Sequence, residues 1–256
     1  MSLDAGWTSP LGRFLVDPRF GDNVKARISG DIPAIGSKFD AETVADKIVD
    51  LIFGELTAPN GGIHAETALT TLGALAGFSS QMAIREFFIK SGMISEEKAF
   101  VVIGTKAGQT FYFGDLLNQI LTSTKKGEWS VWAFVGGGAQ RLGAKALPDI
   151  QEIYAHVAAS VGHENFGIPR LPPQNMPHAG AAELLEKFWN PVRNYLVLNV
   201  DKPSSWPLTL GVAAQKAMIR AKDIVDPALA AKIIMEAAIP MSKVNPALVF
   251  QAYFGI

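Results

Sequence analysis

The 256-residue chain contains no cysteine. That single absence removes disulfides, thiolate metal sites and cysteine nucleophiles together, and it fits a reducing, cytoplasmic setting. Charge of one sign is also missing. With 23 basic and 24 acidic side chains the net charge is −1, and the basic excess that a phosphate backbone demands is not there. The short motifs of the common enzyme classes are lacking as well. There is no G-x-G-x-x-G, no G-x-x-x-x-G-K-[ST], no G-x-S-x-G and no H-E-x-x-H. Neither repeats nor low-complexity tracts occur, and the first residues lack the basic-then-apolar pattern of a signal peptide.

What is present is an apolar balance, 48% hydrophobic against 18% charged, ample for one large domain. Its organising stretch runs from Gly62 to Ser91. Eighteen residues between Glu66 and Arg85 carry no formal charge, close to the roughly 20 apolar residues that a membrane span requires. Thr67, Thr70, Thr71, Ser79, Ser80 and Gln81 interrupt the run, so it reads as a long helix buried inside a soluble domain, about 63–91. Leu69, Leu72, Leu75, Ala76, Met82, Ala83 and Phe87 form its core face. A second face, Glu66, Thr70, Gly73, Gly77, Gln81 and Ile84, is small in the middle. Two mid-helix glycines cost about 2 kcal/mol relative to alanine, and close approach of a second backbone, or of a ligand, is what offsets such a loss. The expected occupant is a helix, from the glycine segment 136–138.

The remainder reads as α-rich. Residues 1–38, rich in Gly, Pro and Asp, form an irregular arm packed on a single domain, 39–256. Asp40 caps a helix whose Val44, Ile48, Leu51, Ile52 and Leu56 recur at helical spacing. Residues 99–104 and 110–113 flank a glycine-containing turn and form the best hairpin. NYLVLNV, 194–200, is a candidate third strand. Helices are expected at 180–191, 207–222, 227–238 and 245–253, several opened by proline at the first turn. A Pro-rich loop, 163–180, is long enough to suggest a function. The expected fold is mainly α (α+β): a helical domain around a long central helix, with a small antiparallel hairpin or three-stranded sheet.

Candidate chemistry is sparse. Glu66, Gln81 and Arg85 on the central helix, with Gly136, Gly137, Gly138 and Arg141, could line a pocket closed by the 163–180 loop. Gly136–Gly138 follow a WAFV run, as in a phosphate-binding strand–loop–helix, although a glycine-rich helix is the simpler reading. His156, His163, Glu164 and His178 are the residues that could hold a divalent metal, imidazole and carboxylate suiting zinc or iron. No other cofactor is implied. His64-Ala65-Glu66 matches half of a zinc-deaminase motif without its cysteines. On a helix, side chains two apart diverge by about 160°, so both are not expected to meet one ligand. Three functional classes follow: a non-catalytic protein that binds a partner or forms a homo-oligomer; a small-molecule-binding protein or enzyme; and a His/carboxylate metal-dependent hydrolase. Neither nucleic acid nor membrane is an expected partner.

Overall fold

The computed structural model describes residues 40–249, and the arm expected at 1–38 lies outside them. The described chain is mainly helical with one two-stranded sheet. The helices are α1 (Ala41–Leu56), α2 (Ala65–Ala83), α3 (Glu96–Ala99), α4 (Asp115–Thr122), α5 (Val131–Arg141), α6 (Ile150–Ser160), α7 (Ala181–Asn199), α8 (Trp206–Ala221) and α9 (Pro227–Met241). Strands β1 (Val101–Gly104) and β2 (Thr110–Phe113) pair antiparallel between α3 and α4. No helix among the described residues is long and apolar enough to cross a membrane.

Every residue of α2 is buried. The helix continues through a π-helical turn, Ile84–Ile89, and the chain leaves it at Gly92 with φ +75°. Helices α7, α8 and α9 surround it, and α1 covers α8. On the outer face Lys216 pairs with Glu42 and Asp46, and Arg220 with Asp50. These exposed pairs add little individually.

The small face of α2 is filled by α9. A Cβ at Gly73 would stand 3.0 Å from the Ile234 carbonyl carbon, and one at Gly77 2.6 Å from that of Ala238, with the oxygens nearer still. Gln81 donates to the Ser242 carbonyl at 2.9 Å, 161 residues on. Gly73 and Ile234, and Gly77 and Ala238, are separated by the same 161. The two helices therefore run in the same direction in one fixed register, with backbone against backbone. This corrects the expectation that the 136–138 segment covers Gly73 and Gly77. That segment lies inside α5, packed on α8: Gly138 faces Gln215, whose amide donates to the Phe134 carbonyl at 2.8 Å.

Two other expectations change. Residues 194–199 are helix, not a third strand: α7 runs through Pro191 to Asn199. Proline removes one backbone donor and costs about 3 kcal/mol within a helix. Val192 and Leu196 are buried beyond it, continuing the stripe of Leu185, Phe188 and Trp189, and each buried side chain stabilises by about 1.5–3 kcal/mol. The third edge is instead supplied by the residues after α9. The Tyr112 amide donates to the Lys243 carbonyl at 2.9 Å, and Phe111 bridges to Val244.

Candidate functional site

Two polar centres lie at opposite ends of the α2–α9 pair, and the 161–180 loop passes both. At the N-terminal end, His64 is the N-cap of α2. Asn60 does not cap the helix: its side chain accepts from the Gly62 amide at 3.0 Å. As a cap, His64 stands outside the helical spiral, so its ring can turn back toward Glu66, against the expected divergence. Thr67 supplies its amide (3.3 Å) and its hydroxyl (2.8 Å) to His64 Nδ1. Because Nδ1 accepts the amide proton, the ring proton sits on Nε2, 3.4 Å from Glu66 Oε2.

The loop closes on this cluster. Asn175 donates to Glu66 Oε1 at 2.9 Å, the His178 amide donates to Thr67 Oγ1 at 2.9 Å, and the His178 ring stacks on His64 with centroids 3.6 Å apart. Burial holds the His64 imidazole below its ordinary value; Glu66 pulls it up and His178 pushes it down. Hydroxyl, imidazole and carboxylate stand in the order of a nucleophile, base and orienting acid. Yet the Thr67 hydroxyl is buried and already accepts from the loop backbone. The arrangement is a self-satisfied clasp. Midway along the loop, Arg170 donates to Glu152 at 2.8 Å and to the buried Glu236 of α9 at 3.2 Å, a second fastening.

At the other end lies Lys243, which no sequence motif marked. Its side chain is completely buried. The Nζ donates to Asn118 Oδ1 at 2.8 Å and lies 5.3 Å from the centre of the Phe113 ring and 5.6 Å from that of Tyr154. No ion pair among the described residues involves it. Burial alone pushes the amine down to about 7. Burial also lifts the Tyr154 hydroxyl above the ordinary tyrosine range, opposed by its 3.1 Å hydrogen bond with Thr122. The backbone around Lys243 is held rigidly, by Gln81 on the Ser242 and Val244 carbonyls and by the hairpin edge on Lys243 itself. The loop covers this end too: Phe166 packs edge-on against Phe111 at 4.7 Å, and Gly167, at φ +77°, lies against Met241. Lys243 is the one charged residue in the run from Ala237 to Val249, and that was the available signal.

The expected site residues scatter among these features. Glu66 and His178 meet in the clasp. Gln81 and Arg85 join α2 to the hairpin and to the end of α9: Arg85 bonds to Gln81 and Glu96 and stacks on Phe100 and Tyr112. Gly136, Gly137 and Gly138 are interior to α5, so the strand–loop–helix reading does not hold, and Arg141 is exposed at the C-terminal turn of that helix. His156 is half-buried on α6, while His163 and Glu164 are exposed at the start of the loop. The proposed metal set is not assembled: no three His, Cys, Asp or Glu among the described residues group as metal ligands would. The chain matches no protein-family model, no curated protein and no solved structure.

Proposed function

We propose that this protein is an enzyme or binding protein that takes a small carbonyl compound onto the amine of Lys243 as a Schiff base. One observation carries the reading: a fully buried lysine amine between two aromatic rings that has, among the described residues, a single side-chain hydrogen bond and no carboxylate partner. A charged amine is expensive in such surroundings. Desolvation keeps the nitrogen lone pair free near neutrality, which is how lysine nucleophiles are activated. In the proposed step the Nζ lone pair attacks the carbonyl carbon. The two amine protons leave with the carbonyl oxygen as water, and a C=N bond remains. In this reading the carbonyl compound enters beside the 162–168 segment, which lies on Phe111 and Met241 at the same end of α9. A cytoplasmic setting, consistent with the lack of cysteine, belongs to this reading.

The test is reductive trapping. The full chain is incubated at pH 7 with propanal and cyanoborohydride and then mapped by peptide mass spectrometry. Lys243 is expected to be alkylated before the exposed Lys106 and Lys125. An unmodified Lys243 beside alkylated surface lysines refutes the proposal. A second reading, assembly through an apolar face, rests on Leu198 and Val197, 82% and 51% exposed at the end of α7. Light scattering that finds a monomer at every concentration removes it.

A further inference from the structure

Seven buried side-chain nitrogen or oxygen atoms among the described residues have no hydrogen-bond partner. Four of them, all donors, belong to α7 and the first residue of α8: Trp189 Nε1, Asn190 Nδ2, Arg193 Nε and Trp206 Nε1. Trp189, Asn190 and Arg193 lie on one arc of α7, about 100° wide at 3.6 residues per turn. The Trp206 ring, at the start of α8, sits 6.4 Å from that of Trp189. Trp189 is fully buried and Trp206 is 2% exposed. None of the ion pairs among the described residues involves Arg193.

Buried donors are almost always paired in folded proteins, and leaving one unpaired costs about 1–3 kcal/mol. Scattered orphans of mixed type would suggest local packing compromises. A group made only of donors, one of them a guanidinium, has a definite complement: a ligand made of acceptors and carrying negative charge. We infer that the corner between α7 and the start of α8 is a binding site for a small oxyanion, held by the indole N–H groups of Trp189 and Trp206, the Asn190 amide and the Arg193 guanidinium. The site is separate from Lys243 and does not depend on it.

Indole N–H resonances provide the test. The chain has five tryptophans, giving five side-chain signals in a proton–nitrogen correlation spectrum, and Trp206→Phe assigns one of the pair. Titration of the full chain with inorganic phosphate, and separately with acetate, is expected to move the Trp189 and Trp206 signals saturably, with half-saturation below about 1 mM, an affinity of roughly 4 kcal/mol. The two arms distinguish a phosphate-bearing ligand from a carboxylate. Chloride at matched ionic strength is expected to leave both signals in place. Arg193→Gln and Asn190→Asp, both at partly exposed positions, are expected to weaken binding at least tenfold. Signals unmoved by either anion overturn the inference, as do shifts that persist in both variants or an experimental structure with an ordered water on each donor.

Discussion

Lys243→Met is the most incisive perturbation, because its effect should change sign with pH. The folded lysine is pushed from 10.5 down to about 7. At about 1.36 kcal/mol for each pH unit, the full penalty at acidic pH is on the order of 5 kcal/mol. The sign follows from linkage. The folded value is depressed, so the unfolded chain binds this proton more tightly. Nothing is lost above pH 10.5, and stability falls as the pH drops from there through 7. The penalty is about 4 kcal/mol at pH 7 and about 2 kcal/mol at pH 9. Methionine removes the titration and keeps most of the volume, but it strands Asn118 Oδ1, which now accepts from Nζ, at about 1–3 kcal/mol. The variant should therefore be more stable than the parent at pH 7, equal to it near pH 9 and less stable at pH 10. Urea unfolding of both proteins across this range measures the difference. A gap that does not vary with pH would mean that the amine is not desolvated as the geometry requires, and the functional reading would fall with it.

Two further outcomes follow from the packing and the clasp. Alanine at Gly137, where nothing lies within 4 Å of the new Cβ, should stabilise by about 1 kcal/mol through helix propensity. Alanine at Gly77 makes the same local gain but drives into the Ala238 backbone, so a net loss of about 2 kcal/mol is expected, read as a fall in Tm of roughly 4–8 °C. For His64, depression below the ordinary 6.5 means that its contribution is complete above that pH and lost as the pH falls below it. Protease cleavage within 161–180 should accelerate between pH 7 and 5. His64→Asn, which keeps a capping side chain, should abolish that acceleration; a cleavage rate independent of pH in the parent would show that the imidazole does not govern the loop.

The central helix, the hairpin and the first helix were legible because their signals are local: charge spacing, a capping Asp40, β-branched and aromatic runs around a turn. The small face of α2 was legible too, since two glycines at a four-residue interval imply close approach whatever the partner. Which helix fills it was not, because no local pattern links Gly73 to a residue 161 positions away. Pro191 misled for the opposite reason. A local rule says that helices break there, and burial of Val192 and Leu196 overrides it. The candidate sites were less legible still. His64 looked like a helical residue and is a cap, which reverses the geometry of its side chain relative to Glu66. Lys243 is ordinary in sequence, and its chemistry comes entirely from the desolvation that Asn118, Phe113 and Tyr154 impose from three separate elements.

The glycine contacts between α2 and α9 have a mechanical consequence. Two helices meeting through interlocked side chains can slip or rotate by fractions of a turn as rotamers readjust. Here Gly73 and Gly77 seat against carbonyl groups, and a one-residue screw of the helix, about 100° of rotation with its rise, would bring Ala74 and Phe78 toward those same groups. The pair is keyed like a shaft in its hub. Movement that exposes Lys243 has to come from the parts around the shaft, above all the loop fastened at Arg170, Asn175 and His178.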